Sequence, residues 1–284
     1  MAKKRQHYVP QFYLRCFGKP LYRFDKTNDS IIQRNPLTVG MEKNFYDVDE
    51  LEHGTIEDLF SKNEDKFSEA YTRLIETKNL NALTKEEKTN FFLFLSSQFL
   101  RTLELRYMMD QMSQGLFEKL FGKQGMNIIP ENVLAKFTEN SIKLFQIQHL
   151  VESVPKIALI LSKKTWVIRE NTTQTLLWTS DNPIALHNDH DTGNAGSMGI
   201  LSTGIQIHFP LTPNLMLLSY DPTVTGITTD PMDDEHVQTH NCYQVDSSVR
   251  YIFSNNDKFQ DAIDYLNKYP ELRDPNRPRG EFVN

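Results

Sequence analysis

Thr165-Trp166-Val167-Ile168-Arg169, then Glu170-Asn171-Thr172-Thr173-Gln174, then Thr175-Leu176-Leu177-Trp178-Thr179: here the spacing of apolar residues changes from helical to extended. β-Branched and aromatic residues fill both ends and a polar run joins them, which predicts two strands paired across a turn. Downstream, 205–209, 215–220 and 249–253 read as further strands. Helices are expected at 233–243 and 257–268, and an irregular tail at 270–284.

Upstream of Thr165 the pattern is helical. Ile56, Leu59, Phe60, Phe67, Ala70, Tyr71 and Leu74 keep a helical period over 55–78. Thr84 followed three residues later by Glu87 is a capping box, and it opens a helix whose stripe runs through Phe91, Phe94, Leu95, Gln98, Thr102 and Leu105. Residues 112–130 are mixed, with Phe117, Leu120 and Phe121 helical and Gly122 and Gly125 as breaks. A third long helix is expected over 131–161, with Val133, Phe137, Ile142, Phe145, His149 and Val154 facing inward and Pro155 kinking it.

Further upstream, Leu21-Tyr22-Arg23-Phe24-Asp25-Lys26 alternates, Asn28-Asp29-Ser30 turns, and Ile31-Ile32-Gln33-Arg34 runs extended again, which is a hairpin. Asn35-Pro36 ends it, and 39–48 reads as a loop or short edge strand. A small strand pair, a helical middle (55–161) and a mostly antiparallel half (165–254) make an α+β fold in a single domain, not the strict alternation of a doubly wound sheet. No internal repeat or low-complexity block interrupts it.

The 284 residues, 39% hydrophobic and 11% aromatic, suffice for a substantial core. A net charge of −6 does not advertise a nucleic-acid or membrane partner, although a local basic patch is compatible with it. The basic start, Lys3-Lys4-Arg5, is not followed by a signal-peptide apolar run, and Phe91-Phe92-Leu93-Phe94-Leu95 is too short to span a bilayer. Cys16 and Cys242 fit no paired motif, which favours reduced thiols and a cytoplasmic location. Phosphate-loop, dinucleotide and nucleophile-elbow signatures are absent from the sequence.

Six places carry residues suited to chemistry. The first is His7-Tyr8-Val9-Pro10-Gln11-Phe12-Tyr13-Leu14-Arg15-Cys16-Phe17. With Pro10 as first helical residue, Pro10, Tyr13, Leu14 and Phe17 form a buried face, and Val9 is held extended so that the helix aims His7. Gln98 and Arg101, beside an aromatic stripe, are costly to bury without partners. Ser180-Asp181-Asn182-Pro183 is either an Asx turn or a rigid strand end able to orient a histidine, a divalent cation or a polar substrate. His208-Phe209-Pro210-Leu211-Thr212-Pro213 closes another strand. His236 and His240, four apart on a helix, have the spacing of a metal pair but lack a metalloprotease signature, while His187-Asn188-Asp189-His190-Asp191 precedes glycines and reads as a mobile loop.

The opening stretch resembles that of a bacterial and fungal family known as domain of unknown function 4238. Asn44-Phe45-Tyr46, Gln98-Phe99-Leu100-Arg101-Thr102 with Arg106, Trp166, Thr179-Ser180-Asp181-Asn182-Pro183, Phe209-Pro210-Leu211-Thr212-Pro213 and Asn241 follow in the family's order. The likeness runs from about Gln6 to Phe253. It departs at Leu103, where a proline commonly follows the Arg-Thr pair, so the helix is free to continue there.

The family implies no established activity, but its motif positions coincide with the inward polar groups. If His7, Gln98, Arg101, Asp181, Asn182 and Asn241 converge, the cluster suits an anionic substrate. Arg101 would clamp phosphate or carboxylate, His7 would move a proton, Asp181 would orient His7 or hold a divalent metal, and Gln98, Asn182 and Asn241 would read polar edges. The resulting expectation is a nuclease-like hydrolase acting on a phosphate-containing small molecule or nucleic acid, by analogy in bacterial defence, with no membrane partner. The alternative is a binding or sensing module in which the same cluster is a structural lock.

Overall fold

A computed structural model describes residues 5–48, 55–121, 139–188, 199–221, 227 and 229–278. The N-terminal motif forms strand β1 (Arg5–His7) and one turn of helix α1 (Gln11–Leu14) that tightens into a 3₁₀ turn (Arg15–Phe17). Pro10 is the extended N-cap, with φ −64° and ψ 144°, one position earlier than its sequence context predicts. The face it orients is as expected: Tyr13, Leu14 and Phe17 are fully buried. Gly40 lets the chain pass close by. Its carbonyl accepts the N–H groups of Tyr8 and Val9, its φ is +62°, and a Cβ there would sit 2.9 Å from that of Val9.

The hairpin is β2 (Leu21–Asp25) and β3 (Ser30–Arg34), turned at Asp29 with a left-handed φ of 57°. β4 (Met41–Lys43) pairs with β1. The helical middle is α2 (Thr55–Thr77), α3 (Lys85–Leu100), α4 (Leu103–Phe121) and α5 (Glu139–Ser162). Both halves of the Thr84–Glu87 capping box form. Despite Leu103, the helix does not run through the Arg-Thr pair: Arg101 leaves helical geometry at φ −102° and ψ 13°, and α4 starts afresh. Pro155 lies within α5, while 131–138, expected to begin that helix, is outside the described residues.

The β-rich half is β5 (Thr165–Glu170), β6 (Thr179–Ser180), β7 (Ala185–Asn188), β8 (Ile205–Thr212), β9 (Leu215–Tyr220), α6 (Asp234–Ser247), β10 (Tyr251–Ser254) and α7 (Gln260–Lys268). Two four-stranded antiparallel sheets result, in the orders β3-β2-β10-β6 and β5-β9-β8-β7. The fold is α+β with antiparallel sheets, as the order of elements predicts.

The strand pair predicted at 165–179 does not form. β5 pairs with β9, and β6 belongs to the other sheet. The polar connection explains it. Asn171 accepts the Thr173 N–H and donates to the Thr175 and Pro213 carbonyls, the Leu177 N–H goes to Pro213, and the Trp178 N–H goes to the Asn241 side chain. Little of the backbone at 175–178 is left to pair with β5.

The main core joins α1, α2, α3 and α5 to β8 and β9. Tyr13 stacks on Phe209 at 5.0 Å, and Phe94 touches Phe12, Tyr71 and Phe209. A smaller core lies under α7, around Phe24, Trp178 and Phe259. By length and composition one helix among the described residues, Asn140–Ser162, is apolar enough to cross a membrane; 28% of its most apolar window is buried.

Candidate functional site

Several of the motif residues are tied to distant main chain by side-chain hydrogen bonds. The Gln98 carboxamide donates to the Tyr8 carbonyl at 3.2 Å and accepts the Arg101 guanidinium through Nε and Nη2, at 3.2 and 3.0 Å. That guanidinium lies 5.1 Å from the Phe60 ring centroid and is almost fully buried. Tyr13 places its hydroxyl 2.6 Å from Thr179 Oγ1 and 2.8 Å from the Pro210 carbonyl, tying α1 to both strand-end motifs. Tyr71 donates to the next carbonyl, that of Leu211. Asn241 accepts the Trp178 N–H and donates to the Leu176 carbonyl, at 2.8 and 2.9 Å. Arg106 reaches the Phe45 carbonyl at 2.6 Å and stacks over that ring.

Asp181 is the most heavily committed of them. Its carboxylate accepts three successive backbone N–H groups, from Val249, Arg250 and Tyr251, each at 2.8 Å. Burial pushes this carboxyl up; the three N–H donors and the nearby Lys26 ammonium oppose the shift. Lys26 is itself buried and donates to the Val245 and Ser248 carbonyls at 2.7 and 2.8 Å, closing the C-terminus of α6. Burial and Arg277 bring that amine down to about 7, against the pull of Asp181, Glu104 and Asp246. The chain leaving α6 is thus held by an ammonium on its carbonyls and a carboxylate on its amides.

The expected contact between His7 and Asp181 is not made. Both Asp181 oxygens are occupied by main-chain donors, and His7, half-buried, lies beside the Gln11 carboxamide at 3.4–3.5 Å. Gln98 and Arg101 do meet as predicted, and Asn182 donates to the Ser247 carbonyl at 2.9 Å. His236 and His240 do not form a metal pair either. His236 is exposed and bound to the N-cap Asp233 at 2.5 Å, whereas His240, one turn further on, is buried against His208. Among the described residues no group of three or more His, Cys, Asp or Glu is placed to hold a metal ion. Of the loop predicted at 187–191, His187 and Asn188 belong to β7 and the remainder lies outside the described residues.

A cavity of about 370 Å³ opens between α4, α6 and the segment leading into β7. Phe99, Leu105, Met108, Ile184 and Leu186 make its apolar wall, and Glu104, Asp246, Asn182 and Ser247 its polar side. No lysine or arginine lines it among the described residues. Burial raises the Asp246 carboxyl, which accepts the Tyr265 hydroxyl at 3.0 Å; Arg277, behind the cavity, lies 3.8 Å from Glu104. Of the six site residues expected from the sequence, Asn182 alone lines this cavity.

His187 and Tyr243, also in the lining, stack at 4.6 Å. Behind them His208 and His240 face each other, Nδ1 to Nδ1, at 3.0 Å, and each has a buried Nε2 with no hydrogen-bond partner among the described residues. Two protonated rings cannot make that contact, because one Nδ1 must accept. Burial holds His240 down at about 4 and His208 well below the usual range, with neighbouring positive charge adding to both shifts.

A family model described as "Protein of unknown function (DUF4238)" matches residues 5–258. The chain belongs to the DUF4238 family. Neither curated proteins nor solved structures supply a match to it. Tyr13, Gln98, Arg106, Asp181 and Asn241, from the stretches quoted above, each make a side-chain-to-backbone bond here. Sequence reasoning missed Lys26, Gln244 and the His208–His240 pair. Gln244 accepts from Ser180 and donates to the Pro183 carbonyl, bracketing the Asp181 motif from α6. One signal was present for it: Asn241 and Gln244 are three apart and so share a helix face.

Proposed function

We propose that this DUF4238 protein is a non-catalytic binding or sensing module, in which the polar cluster around Asp181 is a lock between the helical and β-rich halves. The observation that carries this reading is the threefold occupation of the Asp181 carboxylate by main-chain N–H groups. Oδ2 accepts two of these N–H groups and Oδ1 the third, so at most one acceptor site of the carboxylate is left for an imidazole or a metal.

The cavity beside Asn182 is the binding site in this reading. Its apolar wall and the stacked His187–Tyr243 pair suit a flat apolar body, and Glu104 and Asp246 suit a group that donates hydrogen bonds or carries positive charge. The absence of a lining cation disfavours a phosphate there. Cys16 and Cys242 are both free thiols, which is compatible with a reducing, cytoplasmic setting.

Titration with tryptamine and with indole-3-acetate tests the site. The amine is expected to bind and the acid to bind at least tenfold more weakly, with Leu186→Trp abolishing binding by filling the cavity. Absence of any difference between the two probes overturns the ligand class. The nuclease-like hydrolase retains one support, the partly exposed imidazole of His7. Metal-dependent cleavage of a nucleic acid that disappears in His7→Ala, with unchanged melting temperature, would replace the binding reading.

A further inference from the structure

α5 packs on α3 through Ile147, Leu150 and Ala158, yet leaves Phe145, Val151 and Leu159 between 48% and 59% exposed. Phe145, Glu152, Lys156, Leu159 and Lys163 recur at helical spacing, so they form one line along the open face. Beside that line a groove of about 760 Å³ runs between α3 and α5, floored by Phe92, Leu93, Ala158 and Leu159 and edged by Lys85 and Lys88. A neighbouring hollow of about 460 Å³ shares Lys88 and adds Lys78 and Lys164.

The charge here opposes that of the whole chain. The protein carries −6, but neither hollow is lined by an aspartate or glutamate among the described residues. Lys78 is paired with Glu170, whereas Lys85, Lys156 and Lys163 have no ion-pair partner there. Glu152 is the one acid on the exposed line. An apolar strip with a lysine rim fits a surface that offers hydrocarbon below and negative charge above it.

We propose that the α3–α5 face docks on an anionic lipid bilayer, with Phe145 and Leu159 entering the acyl boundary and Lys85, Lys156 and Lys163 meeting the headgroups. Packing of its inner face on α3 makes α5 a helix that lies on the membrane, although its length and composition would let it span one. A protein partner would have to cover the same strip without salt-sensitive attraction to lipid.

Co-sedimentation of the full chain with phosphatidylcholine vesicles, with and without phosphatidylglycerol, tests this. Binding is expected only with the anionic lipid, and is lost at high salt. Removing each lysine should cost about fivefold in partition coefficient, so Lys85→Gln with Lys163→Gln costs about 25-fold. Leu159→Asp should abolish binding at low salt, and circular dichroism should show all variants folded, because the three positions are exposed. Equal binding to both vesicle types, no binding to either, or insensitivity to these substitutions overturns the proposal. So does a concentration-dependent dimer by light scattering that Leu159→Asp dissociates while lipid binding is absent, which would assign the strip to a second copy of the chain.

Discussion

Asp181 and Tyr251 bind each other twice: the Asp181 carboxylate accepts the Tyr251 N–H at 2.8 Å, and the Asp181 N–H donates to the Tyr251 carbonyl at 3.0 Å. Seventy residues separate them, and the pair fixes where β6 meets β10. Asp181→Ala leaves three buried N–H groups without an acceptor, and the expected loss is about 3 kcal/mol or more. Asp181→Asn keeps one acceptor but turns an NH₂ toward a donor, for a loss of about 1–3 kcal/mol. Urea unfolding at neutral pH measures both, and a loss below about 0.5 kcal/mol in Asp181→Ala would contradict the lock.

Tyr13→Phe separates the lock from the half-exposed histidine of the same motif. Removing the hydroxyl strands the Pro210 carbonyl in the core and leaves Thr179 to find another partner, for a loss of about 1–3 kcal/mol. His7→Ala, at the rim of the fold, should stay within about 0.5 kcal/mol of the parent. Melting curves of the two variants make the comparison. Equal losses would mean that His7 is part of the lock.

Much of the fold was legible because local rules agreed with tertiary packing. The capping box at Thr84, the hairpin around Asp29 and the α1 face are where propensity, spacing and burial coincide. The pairing of 165–169 with 175–179 failed because alternation predicts a strand but not its neighbour. Asn171 and Asn241 take main-chain groups that a hairpin would need, and neither is visible to a local window. The site was legible as a set of residues but not as a pattern of contacts. Imidazole, carboxylate and guanidinium in one family motif set look catalytic on paper. Only coordinates reveal that Asp181 and Asn241 face amides, and that Lys26, an ordinary strand-end lysine in sequence, is buried between carbonyls.

Lys26 links stability to alkaline pH. Its folded value of about 7 lies below the ordinary lysine value of 10.5, so between those limits the unfolded chain binds more protons than the native one. Stability from this group is therefore complete above 10.5 and is lost as pH falls toward 7, with a slope of up to about 1.4 kcal/mol per pH unit. The parent should gain stability from pH 7 to pH 9, and Lys26→Met should be less stable overall yet flat across that interval. Denaturant midpoints at several pH values measure this, and a parallel slope in the variant would show that another group carries it.

The His208–His240 pair makes a prediction of the same sign on the acid side. Both rings are held neutral, His240 at about 4 against 6.5 in the unfolded chain, so the unfolded state takes up protons first as pH falls. The pair's contribution is whole above pH 6.5 and is lost between 6.5 and 4, at a cost of roughly 3 kcal/mol from His240 alone. Replacing one ring leaves the other with a further unpaired nitrogen, so His240→Leu should destabilise the protein at every pH. Replacing both with apolar groups, as His208→Phe with His240→Leu, removes the orphaned nitrogens together. The double variant should recover most of the loss at neutral pH and show a shallower decline between 6.5 and 4. Thermal melts of the parent, the single and the double variant across that range decide the matter: a double variant that melts below the single one, or keeps the parent's acid slope, would mean that the imidazoles are not the groups being titrated.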